Sequence, residues 1–369
     1  MKISVIGAGI MGLASAWALA RDGHEVAVYE QADVPNPLGS SVDQHRLIRH
    51  PYGAERGYTR MIHTAYAAWD LLWADLGVRH YAPTGTLVLD RGHPWAADTA
   101  RTLSAENIPF RRLRPADIAR DYPQLAADEL QVALSLNTGG VLFADRIVAD
   151  LARHLRSRGV ILETRARVRD VDAEKGRIAL TGGRTVGCDV VIVAAGPWAT
   201  SLVPALKGRV TPSRQVVVYL SPPADLAARW AESPMILDID PTAGFYLVPP
   251  RDGTGLKVGD HRFSLTGDPD RDRTATKGDV ASILDLCGPR LRNFERYTVE
   301  EAKTCFYDVA PRERIIVEAA GARGYVLSGL SGHGFKFATA IGLALARAVR
   351  GDQTARDLAE WAAGGLPPA

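Results

Sequence analysis

Three glycines near the start of the chain constrain its fold more than any other feature. Gly7, Gly9 and Gly12 follow an apolar, β-branched run at Lys2–Ile6, which predicts a buried parallel strand. An Ala- and Leu-rich segment, Leu13–Ala20, then predicts a helix. In a dinucleotide-binding unit the first glycine makes a tight turn, the second lets the backbone approach a pyrophosphate, and the third allows close packing of helix on strand.

A second predicted strand ends at an acidic residue. Glu25–Tyr29 alternates in hydrophobicity, and Glu30 follows it directly. A carboxylate at this position accepts hydrogen bonds from the adenosine ribose and would repel a 2'-phosphate. A glycine pattern alone is weak evidence in a chain with 35 glycines, but its order between two strands, a helix and an acid is specific. The pattern therefore predicts FAD or NAD as cofactor.

Composition is that of an ordinary globular protein. The 369 residues are enough for two domains, each with its own core. A net charge of +2 indicates no strong attraction to nucleic acid or to a membrane surface. No apolar run is long enough to span a membrane, and the first strand occupies the place of a secretory signal. We therefore expect a cytoplasmic protein.

The cysteines predict neither a metal site nor a disulfide framework. Cys188, Cys287 and Cys305 lack metal-ligand spacing. A reducing compartment is consistent with this pattern.

The rest of the chain alternates between two predicted domains. We predict an α/β (α+β) fold, with a discontinuous Rossmann-like nucleotide-binding domain and a substrate domain that contains a large mixed β-sheet and helices. The predicted bounds are 1–80, 142–210 and 312–369 for the first domain, and 81–141 and 211–311 for the second. The main predicted elements are helices at Thr59–Leu76, Pro115–Arg120, Val141–Arg158 and Phe335–Val349, and strands at Gly85–Leu89, Val160–Asp172 and Tyr325–Leu327. A further buried strand that ends in small residues and glycine is predicted within Asp189–Ala199.

Several later motifs carry a resemblance to a known family. They are Arg46–Gly53, Leu256–His261, Lys303–Tyr307 and Ser331–Phe337. With the N-terminal unit, they resemble the monomeric sarcosine oxidase and N-methyltryptophan oxidase group of the D-amino-acid-oxidase-like flavoproteins, over nearly the whole chain. The resemblance implies an FAD amine oxidase: hydride leaves a carbon beside a secondary amine for flavin N5, the imine hydrolyses, and O₂ reoxidises the flavin to give H₂O₂.

The resemblance also implies roles for particular residues. Lys257 matches a lysine near the flavin, and a fixed cation there would stabilise the anion formed from oxygen. Arg49 and Lys336 match a pair that holds the substrate carboxylate, for which a guanidinium offers two donors and an ammonium adds a point charge. Cys305 matches the cysteine that attaches the flavin covalently through sulfur.

The remaining predicted site residues surround the flavin ring. Arg46 matches a residue near the ring, and the glycines before the last helix predict backbone amides and a helix N-terminus aimed at the pyrimidine. The resemblance implies further pocket side chains at Tyr246, His261 and Tyr307, and cofactor-binding positions at Val168, Gly332, Gly334 and Lys336.

The sequence departs from the family at two places. Val42, beside Ser41, stands where the sarcosine-oxidising members carry a histidine, and Asp260 stands where the family has an uncharged residue. Both departures argue against sarcosine itself. An apolar Val42 favours a bulkier or more apolar amino acid.

Several alternatives stay open. The substrate could be a cyclic imino acid such as proline or pipecolate, or a primary amino acid. A noncatalytic flavin-binding subunit and an NAD-dependent dehydrogenase are the other classes, although a dehydrogenase has no use for the motifs around Lys257 and Cys305. We expect a monomer whose partners are a small amino acid or amine and molecular oxygen, with no nucleic acid and no membrane.

Overall fold

The computed structural model describes residues 1–240 and 243–366. The chain begins with β1 (Lys2–Ile6), α1 (Ile10–Arg21) and β2 (Glu25–Tyr29). Both predicted strands are confirmed. The helix begins before the predicted Leu13, because Gly9 already serves as its N-cap.

β1 lies inside a mostly parallel sheet. In spatial order the sheet contains β19 (Ile316–Ala319), β20 (Gly324–Ser328), β13 (Val190–Val193), β1, β2 and β9 (Ile161–Glu163). Neighbouring strands run parallel except β19 and β20. The carboxyl ends of the parallel strands therefore meet at one edge, where open α/β sheets bind their ligands.

Helices cover this sheet. α1 packs along α9 (Ala338–Arg350) so closely that a Cβ added to Gly342 would lie 2.6 Å from the carbonyl oxygen of Ala14. Trp69 and Phe337 are buried in the same core. The other helices of this core are α2 (Arg56–Leu76), α5 (Ala144–Ser157) and α10 (Ala355–Ala362).

A second, larger sheet is mixed. In spatial order it contains β18 (Thr298–Val309), β14 (Thr211–Ser221), β17 (Leu256–Asp260), β16 (Phe245–Val248), β15 (Met235–Asp238), β5 (Thr86–Asp90), β7 (Val132–Leu136) and β6 (Arg111–Leu113). Only β15 and β5 pair in parallel among the described strands of this sheet. It has its own core, which includes Val218, Trp230 and Phe245. The remaining helices are α3 (Pro94–Ala105), α4 (Pro115–Asp121), α6 (Ala199–Leu202), α7 (Ala224–Glu232) and α8 (Lys277–Cys287).

Smaller sheets complete the fold. β3 (Arg46–Ile48) and β4 (Tyr81–Pro83) flank β8 (Gly140–Leu142). β10 (Val168–Asp172), β11 (Arg177–Leu180) and β12 (Thr185–Gly187) form an antiparallel meander.

Two predicted elements are wrong in part. The predicted helix Val141–Arg158 begins as strand β8, because Gly139 turns the chain at φ 113° into pairing with β3 and β4. The predicted strand Val160–Asp172 is two strands, β9 and β10. Arg165 separates them with a φ of 55°, a left-handed conformation that cannot continue a strand.

The predicted fold class is confirmed, since parallel and mixed sheets are combined with helices as expected. The domain bounds stay a prediction. Within residues 1–240 and 243–366, no helix combines the length and the apolar character needed to cross a membrane.

Candidate active site

A first cavity opens at the carboxyl edge of the parallel sheet. Gly7 and Gly9 line it after β1, Glu30 after β2, and Ala194 after β13. Residues 39–42 form another part of its wall. We call it the sheet-edge cavity.

The glycine turn leaves no room for side chains. Gly7 has a φ of +99°, and a Cβ there would lie 2.5 Å from the carbonyl oxygen of Ala194. A Cβ on Gly12 would lie 1.9 Å from the oxygen of Gly7, whereas one on Gly9 would meet Ser41 Oγ at 3.2 Å. Gly7 and Gly12 thus serve the turn and the packing, and Gly9 keeps the cavity wall flat. This geometry fits a pyrophosphate-binding turn.

Glu30 is held in place at the end of β2. One carboxylate oxygen accepts from the backbone N–H of Ala8 at 2.8 Å, and the other accepts from Asn36 Nδ2 at 2.9 Å. The first oxygen keeps a lone pair that could accept from a ribose hydroxyl. The N-terminus of α1 has no side-chain cap on Gly9, although Ser41 Oγ accepts from the N–H of Ile10 at 2.9 Å. The residues present therefore fit the adenosine and pyrophosphate of a dinucleotide.

A second cavity of about 350 Å³ lies between the large sheet and the turn that precedes α9. We call it the central cavity. Residues from β3, β16, β17 and β18 line it, together with that turn. It brings together most of the predicted catalytic and ring-binding residues: Arg46, Arg49, Tyr246, Lys257, His261, Tyr307, Gly332 and Lys336.

A buried carboxylate joins two of these cations. Asp43 forms ion pairs with Lys257 Nζ and with Arg46 Nη1, and it accepts a hydrogen bond from the hydroxyl of Tyr219. Lys257 also donates to the carbonyl oxygen of His45 at 3.3 Å. The side chains of Lys257 and Asp43 are only 3% and 4% exposed.

Charge and burial act against each other in this cluster. Burial would raise the pKa of Asp43, but the charges of Lys257 and Arg46 outweigh it and hold that pKa far below its usual value. Burial lowers the pKa of Lys257, and Asp43 opposes this change. Burial also lowers the pKa of His45, to about 3. At neutral pH His45 is therefore uncharged.

The other two cations, Arg49 and Lys336, form no ion pair among the described residues, although the charge of Glu313 opposes the fall in the pKa of each. Arg49 lies over the ring of Tyr52, with its guanidinium carbon 4.6 Å from the centroid, and its buried Nη1 has no partner among the described residues. Lys336 Nζ lies 5.7 Å from the same ring and donates to the carbonyl oxygen of His333 at 3.2 Å. Trp69 fixes the backbone there by donating to the Lys336 oxygen at 2.8 Å.

Both cations are destabilised by their surroundings. Burial, and then the charge of Arg49, holds the pKa of Lys336 well below its usual value. Burial lowers the pKa of Arg49 as well, although a guanidinium stays protonated. A bound anion would relieve both effects.

Aromatic and polar side chains form the rest of the central cavity. Tyr307 contacts the backbone of Gly332, where a Cβ would lie 2.3 Å from its ring. Tyr246 packs its hydroxyl over Gly259 in the same way, at 2.7 Å. Asp260 pairs with Arg262 at 2.9 Å, and burial raises its pKa. Asp260 is thus paired with a residue just after its own strand, β17.

Some predicted residues lie elsewhere. Cys305 and Gly334 are not among the described residues that line either cavity. The Cys305 thiol is half-buried on β18, and burial raises its pKa while Arg46 lowers it. Val168, predicted as a cofactor-binding position, lines the sheet-edge cavity. Val42 lines that cavity too, rather than the central one, so it does not shape the central cavity wall.

The last predicted helix begins differently from expectation. Phe335–Phe337 is a 3₁₀ turn, and α9 starts at Ala338. Gly332 has a φ of 76°, which only glycine adopts readily, and this turns the chain towards Lys336. No cluster of His, Cys, Asp and Glu in the described part of the chain could hold a metal ion.

Sequence reasoning missed Asp43 and Tyr219. Asp43 lies three residues before Arg46, a spacing that carries no signal outside a helix. Tyr219 reaches Asp43 from β14, far along the chain. Only the acid within an Arg- and His-rich loop could have drawn attention to the position.

Comparison with known families decides the classification. The DAO family, described as FAD dependent oxidoreductase, matches residues 2–348. The chain belongs to this family. FAD is therefore its cofactor, one of the two that the glycine turn and Glu30 left open, and the prediction of an FAD-dependent oxidoreductase is confirmed.

Relatives of this DAO-family protein include two kinds of oxidase. Monomeric sarcosine oxidase from Bacillus sp. (strain B-0618) is 26% identical, and the match covers 96% of this chain and 94% of that protein. N-methyl-L-tryptophan oxidase from Yersinia pestis (strain Pestoides F) is 27% identical over 92% of each. The predicted resemblance to this group is confirmed.

Solved structures share the fold. L-proline dehydrogenase from P. horikoshii superimposes with a TM-score of 0.83 at 20% identity, over 98% of this chain and 96% of that one. Glycine oxidase from Geobacillus kaustophilus gives 0.81 at 21% identity, over 100% and 98%. The DAO-family protein thus has their architecture throughout.

Proposed function

We propose that this protein is an FAD-dependent amine oxidase. It oxidises the C–N bond of a secondary amino acid, N-methylated or cyclic, to an imine, and O₂ takes up the electrons to give H₂O₂. The observation that carries the proposal is the pair of buried cations, Arg49 and Lys336, which form no ion pair with a carboxylate among the described residues of the central cavity. Similarity to sarcosine and N-methyl-L-tryptophan oxidases supports the reaction class.

A substrate carboxylate would satisfy both cations. Two buried cations repel each other unless an anion lies between them. Arg49 has an unpartnered Nη1, and Lys336 uses only one of its three donors on His333 among the described residues. A carboxylate accepts two parallel bonds from a guanidinium and a further one from an ammonium. It would fix the neighbouring carbon and nitrogen in the cavity.

The residues that would hold FAD form a continuous path. Gly7, Gly9 and Glu30 would bind its pyrophosphate and adenosine in the sheet-edge cavity. The loop after Gly39 lines that cavity and continues to Arg46, which lines the central one. Bound there, FAD would accept hydride and return electrons to oxygen, chemistry that no amino-acid side chain supplies.

Lys257 would serve the oxygen reaction. Negative charge develops on O₂ as it is reduced, and a fixed ammonium in a buried site stabilises that charge without reorganisation. Lys257 lines the central cavity beside Arg46. We assign it this role.

The wall of the central cavity supports a substrate with an apolar substituent. Trp95, Leu237, Ile239 and Phe263 line it together with the two cations. Such a wall favours an apolar side chain or N-substituent over a charged one. Tyr246, His261 and Tyr307 would contact the amine end of the substrate.

Covalent attachment of FAD to Cys305 is part of the proposal. The thiol lies on β18, where burial raises its pKa and the charges of Arg46 and Lys257 oppose that rise. A thiolate is the reactive form of cysteine. Acid-precipitated protein should stay yellow and carry the mass of one FAD. Cys305→Ser should release the colour, and loss of flavin from the unaltered protein would contradict attachment.

A peroxide-coupled screen tests the function. N-methyl, cyclic and primary amino acids of both configurations are compared with the decarboxylated amine of each. We expect peroxide from a secondary amino acid and little from its decarboxylated partner. A yellow protein that makes no peroxide with any of them would be a noncatalytic flavin-binding protein. A colourless protein that binds NAD would contradict the cofactor as well.

We also propose that the enzyme is a cytoplasmic monomer, with no nucleic acid or membrane partner. Sedimentation equilibrium should give a mass near 39.8 kDa plus one FAD.

A further inference from the structure

Asp43 is the carboxylate that joins Lys257 and Arg46 beside the central cavity. It pairs with Lys257 and Arg46, and it accepts from the Tyr219 hydroxyl and from the N–H of Gln44 at 2.9 Å. Its side chain is only 4% exposed. Charged carboxylates are rarely buried to this degree unless they are paired with cations or hydrogen-bond donors.

The loop that carries Asp43 is fixed from both sides. The Asp145 carboxylate on α5 accepts from the backbone N–H of Asp43 at 2.6 Å. The backbone N–H of Asp145 donates to the backbone carbonyl oxygen of Asp43 at 3.1 Å. Gln44 accepts from the N–H of Gly255, just before β17, at 2.8 Å. The loop is therefore bound to the strand that carries Lys257.

One anion holds two cations in this cluster. Without Asp43, the Lys257 ammonium and the Arg46 guanidinium would face each other in a site where Lys257 is 3% exposed. A guanidinium does not lose its proton in proteins, whereas a buried lysine does so readily. The lysine would therefore become neutral first.

We infer that Asp43 is a positioning residue that keeps Lys257 protonated and fixed beside the flavin site. The inference rests on the proposed function, in which reduced FAD gives up two electrons that, with two protons, convert O₂ to H₂O₂. A neutral amine cannot stabilise the negative charge that oxygen acquires in this reaction. Asp43 thus sets the pH range over which oxygen is reduced quickly.

Other groups near Lys257 keep one charge state across neutral pH. Burial lowers the pKa of His45 to about 3, so it is neutral, and burial raises the pKa of Cys305 and of the nearby tyrosines. Lys257, which is in direct contact with Asp43, is therefore the group whose charge depends most on that carboxylate. The charged and titratable groups that face it or Asp43 are His45 and Arg46 beside the loop, Asp145 on α5, Tyr219 on β14, Tyr246 on β16, and Lys303, Cys305 and Tyr307 on β18.

The decisive variant is Asp43→Asn. It removes the charge and keeps the size, so the pKa of Lys257 falls further and its ammonium is lost at a lower pH. Reoxidation of reduced enzyme by O₂ should approach the wild-type rate at low pH and fall by about 10²-fold as pH rises, towards the rate of Lys257→Met. The wild-type rate should stay flat over the same range, and stopped-flow absorbance of the flavin measures each rate.

Two controls separate this role from a structural one. Asp145→Ala removes the acceptor that holds the N–H of Asp43 and leaves both partners of each ion pair in place, so it should keep the flat pH profile. Asp43→Asn combined with Lys257→Met should match Lys257→Met at every pH, because Asp43 acts through the lysine. A double variant slower than Lys257→Met, or a loss in Asp43→Asn that is equal at all pH values, would overturn the inference.

A measurement on the apoprotein does not depend on catalysis. In Asp43→Asn the folded protein binds the Lys257 proton less tightly than the unfolded chain, so stability rises as pH passes from the folded to the unfolded pKa. The deficit in melting temperature should thus be largest at low pH, shrink as pH rises, and be partly restored by Lys257→Met. A deficit that is unchanged by pH would count against the inference.

Each failure has its own signature. If wild type and Lys257→Met reoxidise equally slowly, the oxidase function is wrong, while the melting data still test the pairing of Asp43 with Lys257. If Asp43→Asn does not fold but the double variant does, unbalanced charge is the cause and the inference stands. If neither folds, Asp43 serves the loop rather than the lysine, and the inference falls.

Discussion

The central cavity contains two pairs of buried cations that differ in one respect. Lys257 and Arg46 share the carboxylate of Asp43 in direct ion pairs, whereas Arg49 and Lys336 form no ion pair among the described residues, and Glu313 acts on them only by its charge at longer range. Burial is similar, at 3% for Lys257 and 5% for Lys336. The difference is therefore one of charge balance.

This difference indicates what each pair is for. A pair balanced by the protein's own anion is complete in the folded chain and can act as a fixed charge. An unbalanced pair is unstable until a ligand brings the anion, so its instability in the free protein becomes affinity for that ligand. A single cavity thus contains both kinds of pair. We call Lys257 and Arg46 the balanced pair, and Arg49 and Lys336, which can bind an anion, the receptive pair.

The largest effect should come from removing the receptive charge. Arg49→Met should lower kcat/KM for the best amino acid by about 10³-fold, because a buried bidentate partner of the carboxylate is lost. Steady-state peroxide assays measure it. The decarboxylated amine should be oxidised equally by both proteins, and an equal loss with that amine would show that Arg49 does not bind a carboxylate.

Replacing the lysine of each pair with methionine should change the free energy of unfolding in opposite directions. Lys257→Met leaves Asp43 short of a partner and should lower the free energy of unfolding by about 3 kcal/mol. Lys336→Met removes an unbalanced charge and should raise it by about 1 kcal/mol. Urea unfolding of the apoproteins measures both. Destabilisation of equal size in the two variants would remove the distinction between the pairs.

A simple carboxylate should restore balance to the receptive pair. Acetate or a larger analogue at 100 times its dissociation constant should stabilise the protein by about 2.7 kcal/mol. It should also inhibit competitively against the amino acid. Arg49→Lys keeps the charge but not the fork, so its shift in melting temperature should be smaller at the same concentration. An unaltered shift would mean that the anion binds elsewhere.

The smallest effect should be a pH dependence of this inhibition. The pKa of Lys336 is lowered, so its charge is present below that pKa and is lost as pH rises through it. The inhibition constant of acetate should therefore be flat at low pH and rise by about tenfold at higher pH, because one charge partner disappears. Lys336→Met should show weak, flat inhibition. A rise in that variant would assign the titration to another group.

The parts of the site that are local in sequence could be predicted. The glycine turn and Glu30 lie at the carboxyl ends of two adjacent strands, so their geometry follows from thirty consecutive residues. Arg49 and Lys336 were placed only through resemblance, because no local pattern brings a loop after β2 to the turn before α9. Their roles stay predictions.

Long-range pairing explains what could not be predicted. Asp43 becomes important because β14 and β17 bring Tyr219 and Lys257 to it. Val42 was expected to shape the substrate pocket, but the loop directs it into the sheet-edge cavity. The misassigned start of the helix at Val141 has the same origin, since pairing with β3 and β4 overrides an apolar pattern that fits a helix equally well.

The packing of α9 on α1 has a consequence for synthesis on the ribosome. The glycine turn emerges first, but α1 packs against Gly342 of α9, and β13 pairs with β20 in the same sheet. The residues of the glycine turn must therefore wait for β20 and α9, which lie far along the chain, before they can hold FAD. Nascent chains stalled before residue 324 should be unable to capture the flavin, because β20 and α9 are not yet available to complete the domain.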